Sequence, residues 1–269
     1  MPKSQRLTVR KTYKLYIGGA FPRSESGRTY LVDGDNAVLA SRKDVRDAVG
    51  AARKAQPGWA GATAYNRGQV LYRVAEMIEA RRAEFVALGV PESEVDAAID
   101  RWVWYAGWSD KLAQVYGGAN PVAGPFFNLS APEPTGVVGV VAPSSFLGLV
   151  SVVAPAVVSG NTVVVLTAAP QVAVTLAEVL ATSDVPGGVV NILTGRIAET
   201  APWLASHDDV NALDLTGVDD AGLAADLERS AAGNLKRVVR PQRDVTADPG
   251  LRPMTALLET KTVWHPKGF

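Results

Sequence analysis

Apolar residues change their spacing part-way along this chain. Residues 13–33 read as an extended arm turned at Gly18-Gly19. Ser41, with Asp44 three positions on, makes a capping box ahead of a helix that carries Val45, Ala48 and Ala52 on one face. Over residues 66–88, Val70, Leu71, Val74, Met77, Ile78 and Phe85 recur at helical intervals, with Arg81, Arg82 and Glu84 as the solvated face. A further helix is predicted over residues 92–116. Its aromatic stripe, Trp104, Tyr105 and Trp108 with Trp102 alongside, reads as core packing. Residues 117–134 are rich in Gly, Pro and Asn, with Phe126-Phe127-Asn128-Leu129 as a short edge strand. Then the pattern switches. Short apolar runs at 137–142, 162–166, 189–193 and 212–215 alternate with helical segments at 146–158, 172–182, 197–206 and 219–232. Strands alternating with crossover helices predict an open, mostly parallel α/β sheet, and near-continuous apolar strands mean helices on both faces.

Composition narrows the chemistry. The chain has 269 residues, 47% hydrophobic and 20% charged, an ordinary globular balance. Lys+Arg and Asp+Glu are 27 each, so no net field attracts nucleic acid or an anionic membrane. Cysteine is absent, which removes disulfides, thiolate metal sites and every mechanism that needs a cysteine nucleophile. With two histidines, His207 and His265, no histidine metal cluster is expected. The first ten residues are charged and lack the apolar run of a signal peptide, so a cytoplasmic location is expected, and Asn128-Leu129-Ser130 reads as a coincidental glycosylation pattern. Residues 134–177 carry no charge, long enough to span a bilayer. Pro143, Pro155, Gly160 and Asn161 divide them, however, into strand, helix and strand. Asp208-Asp209 and Asp219-Asp220 read as helix-start caps, and a Ser144 or Ser145 nucleophile has no histidine placed to activate it.

No G-x-G-x-x-G, P-loop or G-x-S-x-G pattern occurs, yet a series of short motifs resembles the aldehyde dehydrogenase superfamily. They are Leu15-Tyr16-Ile17-Gly18-Gly19, Trp59 with the helix of residues 67–82, and Tyr105-Ala106-Gly107-Trp108. They continue with Pro134-Thr135-Gly136-Val137-Val138-Gly139-Val140-Val141-Ala142-Pro143, Gly160-Asn161-Thr162-Val163-Val164-Val165 and Pro186-Gly187-Gly188-Val189-Val190-Asn191-Ile192-Leu193-Thr194-Gly195. The resemblance implies a Rossmann-like sheet plus a small β oligomerisation element. It divides the chain into an arm (1–36), a cofactor-binding-type α/β domain (37–122 and 134–239), and an oligomerisation hairpin with a C-terminal strand (123–133 and 254–269).

The departures fall at the places where the family does its chemistry. Pro143-Ser144-Ser145-Phe146 stands where the family has Pro-Trp-Asn-Phe, whose asparagine helps hold the oxyanion. Leu166-Thr167-Ala168-Ala169 replaces the segment whose lysine binds the cofactor ribose, and Leu215-Thr216-Gly217-Val218 replaces Phe-Thr-Gly-Ser. Where the family has Leu-Glu-Leu-Gly-Gly with its general base, this chain reads Arg240-Pro241-Gln242. Residues 240–253 then act as a linker in place of the catalytic domain, and 257–264 resemble the family's C-terminal strand.

The expectation is therefore no catalytic residue, no metal, and no cofactor for this chain. Ser145, Leu166, Thr167, Gly217 and Val218 are degenerate cofactor positions. NAD or NADP is expected instead in a partner, a full-length aldehyde dehydrogenase paralogue forming a hetero-oligomer through Phe126, Phe127, Leu223, Leu227, Leu258, Thr260, Thr262 and Trp264. In the strand, Leu258, Thr260, Thr262 and Trp264 alternate with Glu259, Lys261 and Val263, giving two faces. The alternative is a residual dinucleotide-binding module contributing to aldehyde oxidoreductase activity, held by backbone groups near Gly217.

Overall fold

The computed structural model describes residue 7, residues 9–241 and residues 244–268, so Gln242 lies outside the described residues. The arm forms β1 (Thr12–Tyr13), β2 (Thr29–Val32) and β3 (Asp35–Val38), a sheet ordered β1-β3-β2. Gly18 and Gly19 have φ of 62° and 85°. Ile17 and Ala20 exchange backbone hydrogen bonds of 3.0 Å across them, the two-residue turn that only positive-φ residues adopt without strain. Just before that turn, Tyr16 pairs with Ile192 and fastens the arm to the main sheet.

Helix α1 (Arg42–Gly61) starts where the sequence predicts: one Asp44 oxygen accepts from Ser41 N and Oγ at 2.7 Å, and from Ser24 Oγ of the arm at 2.6 Å. The helix predicted over 66–88 is two, α2 (Ala64–Ala80) and α3 (Arg82–Ala87), turned at Arg81. The break lets Phe85 enter the core, where it stacks on Phe146 with ring centroids 4.2 Å apart. The helix predicted over 92–116 is likewise divided into α4 (Glu92–Ala106) and α5 (Leu112–Tyr116). Trp102 and Tyr105 of its stripe are fully buried, and Trp104 and Trp108 pack against them.

After β4 (Gly118–Asn120) and β5 (Phe126–Pro134) comes the main α/β layer. It contains β6 (Val137–Val141), α6 (Phe146–Val158), β7 (Thr162–Thr167), α7 (Pro170–Ala181), β8 (Val190–Thr194), α8 (Ile197–Ala205), β9 (Ala212–Asp214), α9 (Ala221–Ala231) and β10 (Arg237–Val239). The five strands are all parallel, in the order β10-β9-β6-β7-β8. Alternate residues feed two cores. Val138, Val140, Val163 and Val165 pack with α2, α4, α6 and α7. Val137, Val141, Val164 and Leu166 pack with α1, α8 and α9 on the other face. Helix α6 is buried on nearly every side, which accounts for the uncharged run, and among the described residues no helix is long and apolar enough to cross a membrane.

Two expectations are corrected here. Phe126-Phe127-Asn128-Leu129 does not form an edge strand: β5 is the middle of a sheet ordered β11-β5-β4, its partner being β11 (Leu258–Pro266), which follows α10 (Arg252–Thr255). Nor does α9 offer Leu223 and Leu227 as an open interface. Leu227 and Ala231 are fully buried against the chain's own core, with Leu223 half-buried beside them, because α9 is needed to cover the sheet. Strand β11 is the reverse case. Thr260, Thr262 and Trp264 are exposed on one face and Glu259 and Lys261 on the other, with Leu258 and Val263 half-buried, so the described residues leave both faces largely open.

Candidate functional site

The strand order reverses between β6 and β9, and in an open parallel sheet ligands enter the crevice beyond the carboxyl ends of the strands at that point. Here two of the strand-end loops are in direct contact. A Cβ on Gly217 would lie 2.3 Å from the Ala142 carbonyl carbon, so the two backbones touch, and Gly217 N–H already donates to Val141 O at 2.9 Å. Leu166 and Val218 are buried in one apolar cluster on the α1, α8 and α9 face. Thr167 Oγ1 accepts from Ala169 N at 3.0 Å.

Helix N-termini at this edge would ordinarily serve a phosphate. That of α6 is taken by Ser145 Oγ, which accepts from Gly148 N at 3.1 Å, and by Glu94 Oε1, which accepts from Leu147 N at 2.9 Å. At α9, Asp220 Oδ1 accepts from Leu223 N at 2.8 Å, with Asp219 adjacent. Helix α7 begins with Pro170, which has no N–H to give. The degenerate positions Leu166 and Val218 thus present apolar, buried side chains, and the helix N-termini at this edge are capped by the chain's own Ser145, Glu94 and Asp220.

Ser145 acts as a cap, and the two histidines lie elsewhere. His207 precedes β9 and so lies at the opposite edge of the sheet, where its Nδ1 accepts from Asp209 N at 3.2 Å; His265 belongs to β11. Asp209 faces Arg53 at 3.6 Å. Among the described residues no group of His, Cys, Asp or Glu is arranged to hold a metal ion.

On the other face of the sheet the linker folds back over α4 and α6. Arg101 holds it there: the Arg101 guanidinium is buried and donates to Val245 O and Ala247 O, both at 2.6 Å, and to Ser151 Oγ. Tyr105 Oη donates to Pro249 O at 3.3 Å. Asp244 turns the linker by accepting from Thr246 N and Oγ1 and from Ala247 N. Beneath it lies a cavity of about 540 Å³ that reaches Asp214 at the end of β9. Burial pushes the Asp214 carboxyl up to about 6, against hydrogen bonds from Thr216, and raises the Tyr105 phenol well above its ordinary range. Pro241, which the resemblance sets where the family has its general base, lines this cavity, and Arg240 pairs with Glu228 at 3.1 Å.

Sequence reasoning missed Glu94, Arg101 and Asp214. The last two carried a signal. Arg101 sits on the apolar face of α4 among Ala98, Trp102 and Tyr105, and Asp214 interrupts an otherwise apolar strand.

Residues 35–240, most of the chain and the whole of the main sheet, match the aldehyde dehydrogenase family. The chain belongs to that family. It is 33% identical over 249 residues to the aldehyde dehydrogenase, cytosolic 1, of Elephantulus edwardii, covering 84% of this chain and 49% of the relative. It is 33% identical over 239 residues to the alpha-ketoglutaric semialdehyde dehydrogenase of Bacillus subtilis, covering 80% and 48%. The NAD+ complex of an aldehyde dehydrogenase from Bacillus cereus superposes with a TM-score of 0.77 at 26% identity, over 85% of this chain and 50% of that one. The chain spans about half the length of the curated relatives it matches. This aldehyde dehydrogenase family chain thus has the family's NAD-binding, Rossmann-like fold, with Leu166 and Val218 packed in the apolar cluster on one face of the sheet.

Proposed function

We propose that this chain is a non-catalytic subunit that assembles with a full-length, NAD(P)-dependent aldehyde dehydrogenase paralogue and stabilises or regulates it. The observation that carries the reading is the uncovered β11-β5-β4 sheet. Phe127, Leu129 and Trp264 are each 45–56% exposed on it, and β11 lies at its edge, where no further strand pairs with it among the described residues. A partner with an acceptor strand edge satisfies those groups, and main-chain pairing of this kind supplies affinity. The missing thiolate, Pro241 at the place of the general base and Ser145 at the place of the oxyanion asparagine support a structural role for this subunit.

The test is purification of the native complex, with mass spectrometry of what elutes alongside. Removing residues 259–269 is expected to abolish co-elution while the far-UV spectrum of the main sheet persists. The cut spares Leu257, whose carbonyl accepts from Asn161 Nδ2 at 2.9 Å and Thr135 N at 3.2 Å. A truncated chain that still elutes with the dehydrogenase at full stoichiometry removes β11 as the link. A native chain that elutes alone removes the reading itself.

A further inference from the structure

The end of α1, the first turn of α2, the turn between α4 and α5, and the adjoining ends of β5 and β11 enclose a second cleft. Its volume, about 450 Å³, is within the roughly 300–1,000 Å³ of small-molecule sites, and no linker residue lines it. Leu112, Pro132, Pro134 and Leu258 form an apolar wall. The charged side chains are Glu133 and Arg67. Glu133 is exposed and pairs with Lys261 at 3.1 Å. Arg67 is half-buried and pairs with no carboxylate among the described residues. The stretches outside them, 1–6, 8, 242–243 and 269, contain neither Asp nor Glu, and residue 269 follows the opposite end of β11 from Leu258.

The Arg67 guanidinium is only partly used. Its Nη1 donates to Ala62 O at 2.5 Å and Ala60 O at 3.3 Å, capping the end of α1. Its Nε is buried without an acceptor, and Nη2 donates to no group among the described residues. Two carbonyl dipoles do not neutralise a cation that burial has stripped of part of its water. Arg67 also stands in the first turn of α2, whose dipole adds to the same positive potential. The group that relieves it is an anion with paired acceptors, which a carboxylate supplies to a guanidinium fork. The wall of leucine and proline then suits an aliphatic body, where a phosphate, hydrated on every side, gains nothing.

We propose that this cleft binds a short-chain aliphatic monocarboxylate, its head on the Arg67 guanidinium and its chain against Leu112, Pro132 and Leu258.

The experiment is thermal unfolding of the full chain at pH 7.5 with sodium hexanoate, and with 1-hexanol and sodium phosphate as controls. Hexanoate is expected to raise the unfolding temperature in a saturable way, beyond either control. Because Arg67 also caps α1, the deciding variant is Ala113→Phe, at an exposed position of the cleft wall that leaves the guanidinium and its carbonyls in place. There the apparent dissociation constant should weaken at least about tenfold. Arg67→Lys, which keeps a donor for the α1 carbonyls and loses the fork, should weaken it likewise. Equal stabilisation by hexanol or phosphate, or no shift below roughly 50 mM hexanoate, overturns the proposal on the natural chain alone. So does unaltered affinity in Ala113→Phe.

Discussion

Given NAD+ or NADP+ and an aldehyde, the purified chain is expected to produce no NAD(P)H. Oxidation through a thioester needs a sulfur nucleophile, donors for the oxyanion, a hydride acceptor held over the carbon and a base for hydrolysis. The chain has no sulfur nucleophile at any position. Its α6 N-terminus, where oxyanion donors would come from, is occupied by the Ser145 hydroxyl and the Glu94 carboxylate. Leu166 and Val218, at positions the resemblance assigns to the cofactor, are apolar and buried, and Asp220 already caps the α9 N-terminus. Calorimetry with either dinucleotide should accordingly show no binding in the low micromolar range. Steady NAD(P)H formation by a sample free of full-length enzyme by mass, or a low-micromolar constant, would falsify this and return the dinucleotide-binding module as the better account.

Asp214→Asn is expected to stabilise the chain at pH 7.5 by on the order of 2–3 kcal/mol, with the gain shrinking as pH falls through about 6 to 4. The folded-state value, about 6, lies above the ordinary 3.8, so between these limits the native chain holds a proton that the unfolded chain has released. Stability therefore falls as pH rises through about 4 to 6, and above 6 the fold carries an ionised carboxylate in a buried place. Asparagine keeps an acceptor for Thr216 N, 2.9 Å from Oδ1 in the natural chain, and cannot ionise. Arg101 and Tyr105 from α4, and Arg240, Asp244, Asp248 and Arg252 from the linker and α10, surround the same cavity and are unchanged by the substitution. Urea unfolding of both proteins at pH 7.5 and pH 4.5 measures it. Equal midpoints at pH 7.5, or a gain as large at pH 4.5 as at pH 7.5, would show that burial does not penalise this group. Natural proteins keep such a penalty where a site needs it.

The parallel sheet was legible because burial on both faces leaves a local trace: β6, β7 and β8 are short uncharged strands dominated by valine, isoleucine and leucine. Helix α6 has the predicted bounds, Phe146–Val158, since Ser145 caps it and Gly160 ends the connection. What failed was non-local. β5 read as an edge because its partner, β11, begins at Leu258, far along the chain. Gly107 does mark the end of α4, but the tight fit of Gly68 against Ser109 that fixes the following turn depends on tertiary packing. Glu94 caps a helix 53 residues away, which no spacing rule reveals. The degenerate positions were visible as substitutions. How their surroundings close over them was not.

Strands β10 and β11 bracket residues 240–257, and their ends are stapled: Arg237 Nε and Nη2 donate to the two Glu259 oxygens at 2.5 and 2.6 Å. Val239 and Leu258, which flank this segment, pack against the same core, so the chain leaves the main layer and returns to the molecule beside one cluster. Such a doorway admits a guest of any size, because a folded insert with adjacent termini strains neither side. This scaffold is therefore a natural receptacle for grafting: a reporter or a foreign enzyme spliced after Pro241 would displace only the linker and leave both sheets intact.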